Sequence, residues 1–341
     1  MNRPRSFLAL VIAALALGAV MRSRRESVAG RVVCITGGSR GLGLQIAREA
    51  AKRGAKVAVL ARSQLELDAA RDDLRTSSGA ELATTLCDVR NRDDVSRAIA
   101  HVVQTLGPID VLVNVAGIIS VGPFEALTYD DFTKVMATNF YGQLNAIFEV
   151  LPAMRARRDG RIVNVNSIGG RVVVPHLLPY CASKFAAYAL SEGLRMEVAR
   201  DGVAVTTVVP GLMRTGSPPR ARFAGRPKAE YAAFAAGDAS PLTSVDVAHA
   251  ARLVLDGCER RAARVVISWQ AQAALLAERL VPSLFDAVLL AVARTLPSGG
   301  AGDHRTGAQS ESALTRSPIF RLSQRAMDTQ HELLDMTDRD A

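Results

Sequence analysis

The amino-acid sequence predicts an α/β fold: a doubly wound parallel sheet in a single catalytic domain, with an apolar segment before it and apolar helices after it. Two observations carry that expectation. Short apolar runs alternate with helix-length segments from Arg31 to Asn114, the pattern of a parallel sheet covered on both faces. The first run leads straight into a glycine-rich turn and a helix, RVVCITGGSRGLGLQIAREAAKRG from Arg31 to Gly54. With 341 residues and 49% hydrophobic content, the chain can bury a substantial core, in one large domain or two smaller ones.

Residues 1–29 stand apart. Phe7–Met21 (FLALVIAALALGAVM) carries no charge and is flanked by Arg3 and Arg5 before it and by Arg22, Arg24 and Arg25 after it. It is shorter than the roughly 20 residues a spanning helix needs. A signal-anchor, a cleaved signal peptide and a greasy helix on the protein body are the alternatives. The run ends Val20-Met21 and then arginines, without the small residues of a cleavage site. Arginines on both sides, with stems that snorkel, favour an uncleaved anchor or interfacial helix.

The domain follows over residues 30–270. After the glycine turn come a helix carrying Leu44, Ile46, Ala47 and Ala50, strand Lys56–Ala61, helix Gln64–Arg75 and strand Ala83–Cys87. A helix around Asp93–Leu106 then leads to strand Ile109–Asn114. The right-handed crossover rule gives these units a Rossmann-type winding. Further on, RIVNVNS ends at Ser167, a helix ends near Gly202, and VAVTTVVP (Val203–Pro210) reads as a buried strand. Ser217–Ser240, Pro/Gly-rich and then bearing Tyr231 and Phe234, reads as a mobile lid. Pro241–Gly257 reads as a helix and Arg264–Trp269 as the last strand. Residues 271–296 form an apolar helical extension broken at Pro282; either it covers the sheet or a partner, or it touches a membrane. Residues 297–341 read as a disordered tail with one marginal helix near Gln330–Met336.

Two stretches carry chemistry. In Gly37-Gly38-Ser39-Arg40-Gly41-Leu42-Gly43, glycines allow a pyrophosphate to approach a helix N-terminus, where N–H groups and the dipole favour anions. In SIGGRVVVPHLLPYCASK, Ser167 precedes Tyr180, and Lys184 lies one helical turn beyond Tyr180, on the same face. A nearby ammonium lowers the pKa of a phenol, making Tyr180 a candidate acid/base near neutral pH. Ser167 could hold the substrate oxygen. Taken alone, Tyr-x-x-x-Lys also arises by chance, and Ser167 could simply cap a loop. His176, between them, reads as an exposed bystander and is left out of the site.

Thr36-Gly37-x-x-x-Gly41-x-Gly43, Asn114-x-Ala116-Gly117, Asn139, Ser167, Tyr180-x-x-x-Lys184 and Pro210-Gly211 occur in the order of the short-chain dehydrogenase/reductase family, which the chain resembles over about residues 30–270. The departures are Val115, where the family usually has a second Asn, and Asn166, where Ser is usual. The resemblance implies hydride transfer to or from a nicotinamide. It assigns Tyr180 as acid/base and Lys184 as the residue that lowers its pKa and binds the nicotinamide ribose. Ser167 would hold the substrate oxygen, and Asn139 would complete a water-linked proton relay. Asp88, with Val89 beside it, would bond the adenine, although the same carboxylate suits an N-cap. Pro210, Gly211 and Thr215 would lie against the nicotinamide. A homodimer or homotetramer is implied.

Charge selects the cofactor. The second strand ends Leu60-Ala61-Arg62-Ser63 with no acid to bind a ribose diol, and Arg40 lies in the glycine loop facing the same region. Two arginines suited to a 2′-phosphate favour NADP(H). Other classes recede. The net charge of +9 comes mostly from scattered arginines, with no basic run interleaved with aromatics, which argues against nucleic acid. Cys34, Cys87, Cys181 and Cys258 are too scattered for a zinc site or a disulfide framework and suit a reducing compartment. The expected function is NADPH-dependent reduction of an apolar ketone or aldehyde, membrane-associated with the catalytic domain in the cytoplasm. The alternatives are an alcohol or hydroxysteroid-type dehydrogenase running oxidatively, and a nucleotide-binding scaffold without turnover.

Overall fold

The computed structural model describes residues 25–215, 217–239, 244–299, 303–312, 315 and 329–331. The strand–helix alternation begins with β1 (Val32–Thr36), α1 (Gly41–Lys52), β2 (Lys56–Ala61), α2 (Gln64–Ser78), β3 (Leu82–Leu86), α3 (Arg92–Leu106) and β4 (Val111–Asn114). A two-residue β5 (Ser120–Val121), α4 (Tyr129–Met136), a π-helical turn (Ala137–Tyr141) and α5 (Gly142–Arg157) lead to β6 (Gly160–Val165). Next come α6 (Leu178–Glu197), β7 (Val203–Val209), β8 (Leu212–Arg214), β9 (Arg222–Ala224), α7 (Pro227–Ala239) and β10 (Ser244–Asp246). The described elements end with α8 (Val247–Glu259), β11 (Arg264–Val266), α9 (Trp269–Leu280), α10 (Pro282–Thr295) and β12 (His304–Thr306).

Seven strands form the central sheet in the order β3-β2-β1-β4-β6-β7-β11, all parallel. Alternate strand residues feed two cores. Val33, Ile35, Val57 and Val59 pack with Leu44 and Ile46 of α1 and Val254 of α8. Val32, Cys34, Ala58 and Leu60 pack on the other face with Val95, Ile99 and Val102 of α3 and with Val150 and Met154 of α5. The strand order reverses between β1 and β4, which opens a crevice at their carboxyl ends. That crevice is the site.

Several boundaries differ from the sequence reading, each for a local reason. The helix expected from Pro241 begins at Val247, because Asp246 caps it and Ser244–Asp246 pairs with β8. The last strand of the main sheet stops at Val266, since Ser268 caps α9 by accepting from the Ala271 N–H. The expectation of a disordered tail does not hold for residues 303–312. There β12 adds antiparallel to β9, which itself runs beside β5, and the Gly307 N–H bonds the Ala221 carbonyl. Three residues need no hydrophobic period when a lid strand offers an open edge. Gln330 also packs on the body: its carbonyl accepts from the Gly41 N–H and its side chain from Gln45. Past His331, the expected helix at Gln330–Met336 falls outside the described residues.

The apolar run Phe7–Met21 also lies outside them. Residues 25–29, which the sequence assigns to the leading segment, are tied to the domain. Arg25 pairs with Asp256 and Glu259, and the Glu26 carboxylate receives both Arg161 and Arg261. No helix among the described residues is long and apolar enough to cross a membrane. All four cysteines are buried and free.

Candidate active site

The glycine turn joins β1 to α1. Gly37 has φ +68, and a Cβ there would sit 2.7 Å from the Ala116 backbone. A Cβ on Gly43 would lie 2.1 Å from the Gly37 carbonyl oxygen. Only glycine lets strand, turn and helix close this tightly. The first turn of α1 has no side-chain cap and no acid, leaving a helix N-terminus of anion-binding character. A cleft of about 510 Å³ runs from this turn across the switch point to Tyr180.

At the far end, Ser167 follows β6 and caps a short turn, its Oγ accepting from the Gly169 N–H at 3.0 Å. The Ile168 N–H bonds the Pro210 carbonyl, locking this turn to the end of β7. Tyr180 and Lys184 lie in the first turns of α6, and both line the cleft with Ser167. Lys184 Nζ is buried, donates to the Val165 carbonyl at 3.2 Å and lies 5.7 Å from the Tyr180 ring centroid.

The expected lowering of the Tyr180 pKa does not hold in this arrangement. Loss of water around the hydroxyl pushes it up to about 12, although a hydrogen bond with Ser167 pulls the other way. Burial also brings Lys184 down to about 8. The sequence shows that an ammonium is near; it does not show that both groups lose water together. Tyr180 is therefore protonated at neutral pH, the form required of a proton donor.

Asn139 is fully buried in the π-helical turn, a kind of helix irregularity common at functional sites. It accepts from the Ile118 N–H at 2.8 Å and donates to the Ile118 carbonyl and to Ser183 Oγ. These bonds fix the loop that carries Gly117 beside Lys184. Thr36, Asn114 and Asn139 do not line the cleft; they stand behind its wall. Asn114 bonds Asn164 on β6, and Asn164 bonds Ser191, so these side chains brace the strand ends where Val115 replaces the usual Asn.

The remaining expected residues line the cleft: Gly37, Ser39, Arg40, Gly41, Leu42 and Gly43 from the first turn, then Arg62, Asp88, Val89, Ala116 and Gly117. Pro210, Gly211 and Thr215 complete them near Tyr180. Asp88 does not cap α3; Asn91 does, accepting from Asp93 and Asp94 N–H groups. Burial raises the Asp88 pKa, but bonds and charge from Arg90, with the charge of Arg62, outweigh this and hold the carboxyl below its usual range.

Sequence reasoning missed Glu66. This buried α2 carboxylate accepts from Ser39 Oγ at 2.8 Å, from Arg40 at 3.0 Å to both oxygens, and from Arg220 at 2.8 Å. Its place three residues after the α2 cap Ser63 gave only an N-terminal helix signal. His176, set aside as a bystander, is bonded to Glu230 of α7. No group of acidic, His or Cys side chains suited to a metal occurs among the described residues.

A parallel sheet with a glycine turn at its switch point and a Ser–Tyr–Lys cluster across the cleft defines a nucleotide-cofactor oxidoreductase. The family model for short chain dehydrogenase matches residues 31–222, and the chain belongs to the short-chain dehydrogenase/reductase family. It is 39% identical over 186 residues to a putative ketoacyl reductase of Streptomyces coelicolor, covering 54% of this chain and 71% of that one. It is 39% identical over 189 residues to an NADPH-dependent pterin aldehyde reductase of Arabidopsis thaliana, covering 55% and 77%. Among solved structures, a variant of actinorhodin polyketide ketoreductase with NADPH matches with TM-score 0.62 and 32% identity, over 70% of this chain and 95% of that one. Levodione reductase matches with TM-score 0.63 and 28% identity, over 72% and 99%. The protein is an NAD(P)-dependent dehydrogenase/reductase of this family.

Proposed function

We propose that this protein reduces an apolar, lipid-like ketone or aldehyde to an alcohol with NADPH, Tyr180 giving the proton. The observation that carries the reading is the convergence of Ser167, Tyr180 and Lys184 at one end of the cleft. The residues present fit a dinucleotide. The glycine turn is cleared of side chains at Gly37 and Gly43, and the α1 N-terminus lacks an acid. Leu42 and Gly43 would hold the pyrophosphate, joined by Gly41 once its N–H leaves the Gln330 carbonyl; Asp88 would hold the adenine, Lys184 and Tyr180 the nicotinamide ribose, and Thr215 the carboxamide. Bound there, the cofactor supplies the hydride. Ser167 holds the carbonyl oxygen, Tyr180 donates its phenolic proton to that oxygen as charge develops, and Asn139 fixes the loop beside Lys184.

NADPH is favoured over NADH by Arg40 in the glycine turn and Arg62 at the end of β2. The acid found nearby, Glu66, is already engaged by Ser39, Arg40 and Arg220, so it is committed rather than open to a ribose diol. Two guanidinium groups around one carboxylate leave a local positive balance, which suits a phosphate. Phe7–Met21 is proposed to seat the enzyme at a membrane, with the catalytic domain on the cytoplasmic side and the chain in a homodimer or homotetramer. NADPH oxidation by purified protein against ketones and aldehydes of graded chain length tests the reading. Turnover with apolar carbonyls supports it, and turnover with none of them rejects it.

A further inference from the structure

We propose that His176 and Glu230 form a latch that positions the lid over the substrate end of the cleft and so sets the affinity for the carbonyl substrate. The two side chains come from different elements, 54 residues apart in the chain. His176 lies in the loop between the Ser167 turn and α6, four residues before Tyr180. Glu230 lies in the first turn of α7, the lid helix. The His176 Nδ1 stands 2.9 and 3.0 Å from the two Glu230 carboxylate oxygens.

Three features make this more than a surface contact. His176 has φ 63, a left-handed conformation uncommon for a non-glycine residue, and its neighbours hold it there. The His176 carbonyl accepts from the Gly122 N–H at 2.8 Å, pinning the loop beside β5. Glu230 is 1% exposed, and burying a carboxylate is unfavourable unless it is paired. An apolar residue of similar size would fill this space at lower cost. The lid already has apolar packing, with Phe223 of β9 edge-on to Tyr231 and Phe234 at 5.5 and 5.9 Å. What this hydrogen-bonded pair adds is direction, because it ties α7 to the His176 loop.

That loop leads to the chemistry. Leu177, next to His176, packs on the lid cluster of Phe223 and Tyr231. It is also the N-cap residue of α6, its carbonyl accepting from the Cys181 N–H, one residue after Tyr180. A displaced lid therefore pulls at the helix end that carries Tyr180. His176 and Glu230 are positioning residues, acting through the lid and this helix end.

The test uses His176→Gly and Glu230→Gln in the full chain, singly and together. Glycine accepts positive φ without strain, so His176→Gly removes the ring without forcing the loop to misfold. KM for the panel carbonyl that the wild type reduces fastest should rise about tenfold in each single variant, with NADPH affinity held within about twofold. The double variant should be no worse than either single one, since both remove the same contact. Amide hydrogen exchange in α7 should quicken in both variants, while the central strands stay protected. That readout needs no turnover, so it stands even if the proposed carbonyl reduction fails. Unchanged exchange in α7 would overturn the latch, as would additive effects on KM or a loss of melting temperature with KM unmoved.

Discussion

Replacing Tyr180 by Phe removes one oxygen and keeps the ring that packs against Gly169, where a Cβ would lie 3.2 Å from the ring. The folded state loses one hydrogen bond, with Ser167. That costs about 1 kcal/mol, or roughly 2–4 °C in melting temperature for a chain of this size. If the same hydroxyl touches the cofactor ribose, NADPH binding weakens by no more than about fivefold. Removal of the proton donor costs far more in the chemical step: about 10²-fold or more in kcat, equivalent to about 2.7 kcal/mol of barrier. The assay is steady-state NADPH oxidation with a panel ketone, beside fluorescence titration of NADPH and thermal melting of the same samples. The wild-type pH profile adds a second reading. The Lys184 ammonium is present below its pKa of about 8 and lost above it, whereas the Tyr180 phenol keeps its proton to about 12. Reductive turnover at saturating NADPH should therefore decline above about pH 8, before the phenol titrates. A Tyr180→Phe enzyme within about threefold of wild-type kcat would refute the reasoning.

Three further outcomes are expected. Arg62→Ala should weaken NADPH by about 1.5–3 kcal/mol and NADH little, measured by titration with each; equal losses would remove the basis for NADP selection. Gly43→Ala places a methyl 2.1 Å from the Gly37 oxygen, so the turn must open; denaturant unfolding should show a loss of about 1–3 kcal/mol together with weaker NADPH binding. Deleting residues 1–24, which spares Arg25 and Glu26 and their ion pairs with Asp256, Glu259, Arg161 and Arg261, should give an active enzyme that no longer sediments with membranes. Full-length protein that never sediments with them would count against the anchor.

The sheet and its glycine turn were legible because strand burial, helix length and turn chemistry are local signals. Helical spacing puts Tyr180 and Lys184 on one face, but with Ser167 they were legible as a site only through the ordered set of motifs that the chain shares with its family. What stayed hidden is pairing across the chain. Glu66 meets Arg220 of the lid, and His176 meets Glu230, 54 residues away. No periodicity reports such partners, and each residue read singly looks like a solvated charge or a helix cap. The direction of the Tyr180 shift was misjudged for a related reason: the sequence showed a neighbouring ammonium but not the loss of water around both groups. The strand at His304–Thr306 escaped notice because its stability belongs to the β9 edge it joins, not to its own side chains.

The central claim is that the cleft passes a hydride from NADPH to a carbonyl carbon while a protein group supplies the proton. Incubating the enzyme with NADPH deuterated at the transferable position of the nicotinamide, and analysing the alcohol by mass spectrometry and NMR, tests it directly. The account predicts one deuterium on the carbinol carbon, from one face of the cofactor only, and an exchangeable proton on the oxygen. Product alcohol without that deuterium, or no alcohol from any carbonyl supplied, would contradict it.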